Sequence, residues 1–276
     1  MLMLDYHIHT SRCCHASGTM TEYVAQAEKK GLAEIGFADH FPLAMLGIEL
    51  DEPVSMQPAE LDAYIADVHA LQQTSSIPVR LGVEVDYLPG QEELTAKLLQ
   101  PYPFDYVIGS IHFVGDWDFT HPDYIQRYEW ADIDKLYEEY FSVVCQMAKS
   151  GLFNIVGHLD VVKKFSYFPR KSWEHLMDGT CRILKEADIC VELNTSGWRA
   201  PVGESYPGNA FLAKCQEVGI PITLGSDAHR PKDVGCGLRR AVLILNKLGF
   251  TEVASFAGGK RIMRPLVLDG DPIISL

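Results

Sequence analysis

Three features of this 276-residue sequence predict an α/β fold whose parallel sheet closes, or nearly closes, into a barrel. Short β-branched runs alternate with helical stretches along the chain. Seven such units follow one another with no clear linker between them. Metal-capable side chains gather at the C-terminal ends of the runs, the face at which the loops of an α/β barrel converge. Regular alternation implies a parallel sheet, and short continuous apolar runs suit strands buried on both faces. An open doubly wound sheet is the main rival. No GxGxxG opens a first helix, which weakens a dinucleotide-binding reading. Residues 1–276 are read as a single domain.

The strands are expected at Leu2–Leu4, Ala33–Ala38, Val79–Val83, Tyr106–Ile111, Asn154–Gly157, Ile189–Leu193 and Ile220–Leu224. Each is short and bounded by glycine or polar residues. Helical patterns lie between them. Thr21–Lys30 begins with a capping-box signature, Thr19 with Glu22 three residues on. Pro58–Gln73, Gln91–Leu99, Asp132–Lys149, Ser172–Ala187, Asn209–Val218 and Gly237–Leu248 carry the other helical patterns.

Composition narrows the function classes. Hydrophobic residues make up 47% of the chain, enough for a large core. A formal charge of −13 argues against a long nucleic acid held by bulk charge, although bound cations would let such a protein hold a phosphate. The N-terminal residues show no signal peptide and no apolar run is long enough to span a bilayer, so a soluble cytoplasmic protein is expected. The seven cysteines are scattered and form no CxxC pair. Cys145, Cys181, Cys190 and Cys215 read as core thiols. Cys13 and Cys14 stand beside candidate ligands but read as bystanders, because adjacent residues rarely reach one ion.

Of ten histidines, seven (His7, His9, His15, His40, His112, His158 and His229) fall at or just after a predicted strand end; Glu84 occupies the same position on another, and Asp227 shares the last with His229. A lone histidine there is more often a capping residue than a ligand; the constellation carries the metal reading. Residues two apart in an extended segment point the same way. His7-x-His9 can therefore aim two imidazoles at one ion, and Asp227-x-His229 can do the same or divide between neighbouring ions. This donor mix suits zinc, manganese, iron or cobalt. Glu84 is favoured as a carboxylate bridging two ions, with Asp86 competing for that role. Asp39 is read as orienting an imidazole rather than ligating. His121 reads as a loop residue, and His69 and His175 as exposed helix residues.

At these residues the sequence becomes recognisable. Asp5-Tyr6-His7-Ile8-His9-Thr10, Asp39-His40, Gly82-Val83-Glu84, Gly109-Ser110-Ile111-His112, Gly157-His158 and Gly225-Ser226-Asp227-Ala228-His229 resemble, in order, the motifs of the PHP (polymerase and histidinol phosphatase) superfamily. Within it, Glu84–Gly90, Gly109–Phe113, Gly157–Phe165 and Glu192–Arg199 look most like the monofunctional histidinol-phosphate phosphatases. The resemblance implies a distorted seven-stranded β/α barrel and three divalent ions. Carried over by position, His7, His9, Glu84 and Asp227 would hold one ion; Glu84, His112 and His158 a second; His15, His40 and His229 the third.

The expected chemistry is hydrolysis of a phosphate monoester, with L-histidinol phosphate as the substrate that the resemblance implies. Glu84, Asp227 and His229 are the expected catalytic residues. Arg199 is the favoured phosphate contact, since its planar fork suits bidentate binding. Lys163, Lys164 and Asn194 are further candidates. Arg230 has a reading in which it only pairs with Asp233, and Asp86, Asn194 and Asp160 are candidates to receive the organic part of the substrate. A phosphoesterase of the same superfamily acting on a nucleotide or oligonucleotide end is the first rival, given Trp117, Phe119, Trp130 and Trp198 near strand-end loops. A non-phosphatase amidohydrolase is the second, weakened because no lysine ends a middle strand. A non-catalytic metal-binding protein is the third.

Overall fold

A computed structural model describes residues 2–50 and 52–266. Strands β1 (Leu4–Ile8), β2 (Glu34–Phe37), β3 (Val79–Asp86) and β4 (Tyr106–Ser110) are followed by a small hairpin of β5 (Phe113–Val114) and β6 (Trp117–Asp118). Then come β7 (Ile155–Val156), β8 (Cys190–Asn194), β9 (Ile222–Gly225) and a second hairpin of β10 (Glu252–Ala257) and β11 (Lys260–Pro265). Seven strands form one parallel sheet in the order β1-β2-β3-β4-β7-β8-β9. The ends of this sheet meet just beyond β9. Ile8 and Ala228 form a parallel bridge, with His9 N donating to Ala228 O at 3.0 Å and Ala228 N to His7 O at 3.2 Å. The expected barrel is therefore present and nearly closed.

The helices fall close to their expected positions: α1 (Met20–Lys30), α2 (Leu61–Thr74), α3 (Glu92–Leu99), α4 (Ile133–Ser150), α5 (Glu174–Glu186), α6 (Asn209–Val218) and α7 (Leu238–Leu248). The Thr19–Glu22 capping box forms at the start of α1. The stretch expected as one helix over Pro58–Gln73 begins instead as a 3-10 turn at Pro58–Glu60. The first strand lies further along than its apolar run, so His7 belongs to β1 itself. No helix among the described residues is long and apolar enough to cross a membrane.

Tyr106 fills the barrel interior from β4. Its hydroxyl donates to Tyr6 O at 2.7 Å, and its ring occupies the space that side chains at Gly36 and Gly82 would need. Close approach, rather than an unusual backbone angle, explains glycine on two neighbouring strands. The unanticipated β10–β11 hairpin seals the end opposite the ligands. Phe256 packs edge-on against Tyr6, Phe256 N bonds the Tyr6 hydroxyl at 3.1 Å, and Gly258 N bonds Asp105 just before β4 at 2.7 Å. The face at the C-terminal ends of the strands carries a cleft.

Candidate metal centre

The nine expected ligands gather at that face, and five of their imidazoles converge on Glu84. Its strand puts the carboxylate into the barrel mouth, fully buried. Oε1 lies 3.0 Å from His158 Nε2 and 3.8 Å from His112 Nε2. Oε2 lies 3.0 Å from His40 Nδ1, 3.3 Å from His7 Nε2 and 3.6 Å from His9 Nε2. Ser110 Oγ donates to Oε1 at 2.5 Å and fixes the rotamer. Of the two carboxylates left open by the sequence, Glu84 is the central one. Asp86, two residues on, instead holds His112 Nδ1 at 2.8 Å.

Other acids aim the imidazoles. Glu192 Oε1 takes His7 Nδ1 at 2.8 Å, while Oε2 receives His158 N at 2.9 Å. Asp39 faces His9 Nδ1 at 3.4 Å and also receives His40 N at 2.9 Å, the orienting role expected of it. In each case the Nδ1 partner turns Nε2 towards the middle of the cage. Glu192 needs room: a side chain at Gly225 would collide with Glu192 Oε1 and lie 2.7 Å from His7 Cβ. Asp5 ties the loop after β9 to β1, receiving Ser226 N at 2.8 Å and Gly235 N at 2.8 Å.

Two ligand positions have left-handed backbones. His158 has φ of 23° and Asp227 φ of 53°, a region costly for residues other than glycine and found at functional sites when the surroundings enforce it. The surroundings are visible for Asp227: Ser196 Oγ and Asn194 Nδ2 bond its Oδ2 at 3.0 and 3.3 Å. Its Oδ1 faces His9 Nε2 at 3.2 Å. His229 lies beside it and His15 beyond; His15, His40 and His229 bring donor atoms within 4.8 Å of one another.

The arrangement fits divalent cations. His7 Nε2, His9 Nε2, Glu84 Oε2 and His229 Nε2 are buried without hydrogen-bond partners. Buried polar atoms of native proteins are nearly always satisfied, so four orphans in one cage call for a ligand. Burial disfavours the cationic form of His7, yet Glu192, Glu84 and Asp227 outweigh it and hold its pKa well above the ordinary value. Burial likewise opposes the Glu84 carboxylate, but His40 and His7 keep its pKa well below the usual range. A cluster that favours buried positive charge this strongly is one that a divalent cation satisfies.

The cage forms the floor of a cleft of about 880 Å³. Arg199 and Lys164 line it. Arg199 is pinned through Nη2 to Ser226 O at 2.6 Å, and Lys164 donates to Thr120 O at 2.8 Å. Lys163 and Asn194 are not among the lining residues. The 3-10 turn Val161–Lys163 carries Lys163 inward, where it pairs with Asp160 and Glu204, both at 2.9 Å. Asn194 is wholly buried and bonds Glu192 and Asp227, so it positions those carboxylates. Asp160 is spent on Lys163 and on Gly208 N at 2.9 Å. Arg230 pairs with Asp233 at 2.9 Å, as one of its readings had it. His69 and His175 are exposed helix residues, and His121 caps the 3-10 segment Pro122–Glu129. The two adjacent cysteines separate: Cys13 is buried among the ligands and Cys14 is exposed.

Sequence reasoning missed Glu192 and Asp5 as positioning residues. Their signal was an acid inside or at the start of a buried strand, which requires a partner.

A nearly closed parallel barrel with a histidine–carboxylate cage at its mouth defines a metal-dependent hydrolase. The PHP domain model matches residues 5–196. Over 90% of this chain and 94% of the relative, the sequence is 39% identical to the "Probable histidinol-phosphatase" of Deinococcus radiodurans. It is 31% identical to the "Histidinol-phosphatase" of Bacillus subtilis over 84% of this chain and 95% of that one. The histidinol phosphate phosphatase of Lactococcus lactis, solved with zinc, L-histidinol and phosphate, superposes with a TM-score of 0.78 at 25% identity. That match covers 94% of this chain and 98% of the other. The chain belongs to the PHP family and, within it, to the histidinol-phosphatases.

Proposed function

We propose that the chain hydrolyses L-histidinol phosphate to L-histidinol and inorganic phosphate at this centre, with three divalent ions bound. The relatives' names and the Lactococcus lactis complex support the substrate. The observation that carries the reading is the set of buried, unpartnered donors converging on Glu84 beneath a cleft lined by Arg199 and Lys164. The ligands are assigned as one set of His7, His9, Glu84 and Asp227, a second of Glu84, His112 and His158, and a third of His15, His40 and His229. Zinc, manganese, iron and cobalt all suit these donors. When bound, such ions supply positive charge for a phosphate and lower the pKa of water to near neutrality.

The chain's own residues do the rest. Glu84 would serve two ion positions, with Asp227 and His229 as the other catalytic residues. Glu192, Asp39 and Asp86 hold His7, His9 and His112 in the orientation a ligand needs. Two backbone carbonyls at Ser226 and Asp227 steady one end of the Arg199 guanidinium, leaving the remainder of its five-donor fork for phosphate oxygens. Lys164 adds a second positive charge at the cleft wall. Holding the ester between these groups and the ions provides positioning and charge neutralisation, which dominate phosphoryl transfer. A small phosphorylated metabolite and a cytoplasmic setting belong to the same reading.

The test is phosphate release by metal-free enzyme reconstituted with zinc, manganese or iron. L-Histidinol phosphate is compared with a panel of nucleoside monophosphates. The reading expects metal-restored turnover with kcat/KM for histidinol phosphate at least about 10²-fold above the panel. Equal turnover of the panel would remove the named substrate.

A further inference from the structure

We propose that the hydroxyl of Tyr206 donates a hydrogen bond to an oxygen of the bound phosphate group, beside Arg199. This rests on the phosphatase reading above and adds a neutral donor to the charged ones named there. Tyr206 is only 2% exposed, and its hydroxyl is buried without a hydrogen-bond partner among the described residues. A buried tyrosine hydroxyl ordinarily finds one. The residue also lines the cleft, in company with Ser196, Arg199 and Asp227. A donor left unspent at the wall of a phosphate cleft finds its partner in the ligand.

The local chain fixes the ring in this place. Tyr206 is tied to Asn194, the last residue of β8, by two backbone bonds: Asn194 N donates to Tyr206 O at 2.6 Å and Tyr206 N to Asn194 O at 2.9 Å. The ring packs against the 3-10 turn Ser196–Arg199. A side chain at Gly197 would lie 3.0 Å from Cζ, the carbon that bears the hydroxyl, so glycine there admits the ring. The same turn carries Ser196, whose Oγ bonds Asp227 Oδ2 at 3.0 Å, and Arg199, pinned to Ser226 O at 2.6 Å. Lys163 Nζ stands 5.8 Å from the ring centroid, held by Asp160 and Glu204. Burial, with Asp160 and Asp227 nearby, pushes the phenol's pKa above its ordinary value, so the hydroxyl keeps its proton and serves as a donor. The competing partner is a water shared with Asp160 Oδ1, which is also buried and unpartnered. Asp160, unlike Tyr206, is not among the residues lining the cleft.

Tyr206→Phe in the zinc-loaded enzyme is the test, because it removes the hydroxyl and keeps the ring. The contact expects kcat/KM for L-histidinol phosphate to fall about 10- to 100-fold, and the inhibition constant of inorganic phosphate to rise about 10-fold, the worth of a hydrogen bond to a charged group. Bound metal and Tm should stay as in the wild type. A lowered Tm with phosphate inhibition unaltered would overturn the contact and assign the hydroxyl to the water beside Asp160, leaving the phosphatase reading intact. Calorimetric binding of inorganic phosphate separates the two claims. If the wild-type enzyme binds phosphate but does not turn over histidinol phosphate, weaker phosphate binding in the variant upholds the contact and removes only the named substrate. A zinc-loaded enzyme that binds no phosphate would overturn both. A crystal structure of the wild type with zinc and phosphate decides even if the variant does not fold: Tyr206 Oη is expected about 2.5–3.0 Å from a phosphate oxygen, and a hydroxyl turned away from the phosphate would overturn the proposal.

Discussion

Glu192 holds the Nδ1 of His7 at 2.8 Å through one oxygen and the backbone N–H of His158 at 2.9 Å through the other. One buried acid, itself no assigned ligand, thereby sets the direction of an imidazole on β1 and the strained turn after β7. Its replacement separates positioning from ligation. Glu192→Gln should retain the fold and weaken metal retention about 10- to 100-fold, with turnover largely recovered when metal is in excess. Chelator competition and activity at saturating zinc measure this. Unchanged metal affinity would refute the positioning role.

Glu84 should behave differently. Its oxygens face His158, His112, His40, His7 and His9, so no excess of metal replaces them. Glu84→Ala should lose bound metal by elemental analysis and lower kcat by about 10²–10³-fold or more. Circular dichroism should still report a folded barrel. A variant that keeps its metal and its rate would contradict the shared-ligand assignment.

The two adjacent lysines should part company. Lys164 lines the cleft, so Lys164→Ala should raise KM and weaken inhibition by inorganic phosphate. Lys163 is buried against Asp160 and Glu204. Lys163→Met leaves Asp160 without its cation and should cost about 3–5 kcal/mol of stability, read by denaturant unfolding, with phosphate inhibition unaltered. The reverse pattern would mean that Lys163, and not Lys164, faces the phosphate.

Metal removal should also destabilise the fold. A cage of unpartnered buried nitrogens and one unpartnered oxygen of Glu84 is satisfied when cations bind, and ligand at 1,000 times its Kd adds about 4 kcal/mol. At about 2–4 °C per kcal/mol for a chain of this size, chelation should lower Tm by roughly 8–16 °C. Calorimetry before and after chelation, with zinc added back, measures it. An unshifted Tm would argue that the cage binds nothing tightly.

The ligand set was legible because metal chemistry restricts residue types and the barrel restricts places. His7 and His9, two apart on one extended segment, do face the same carboxylate oxygen. What sequence could not resolve is rotation within short irregular turns. Cys13 against Cys14, and Lys163 against Lys164, differ by one residue in 3-10 turns whose start depends on tertiary contacts. Glu192 was visible as an acid within the apolar run of β8, but its partners lie 185 and 34 residues away. The β10–β11 hairpin carried a local signal that went unused. Gly258-Gly259 is a two-residue turn of the kind that joins antiparallel strands, but the strand that follows it is largely exposed and polar, without the apolar run by which the barrel strands were found.

The most direct test of the central claim is a metal titration of the metal-free enzyme with turnover and bound metal counted together. L-Histidinol phosphate serves as substrate. The account expects phosphate release to climb with added zinc and level off at three ions per chain. Full turnover in the presence of a strong chelator, or a plateau at a single ion, would contradict it.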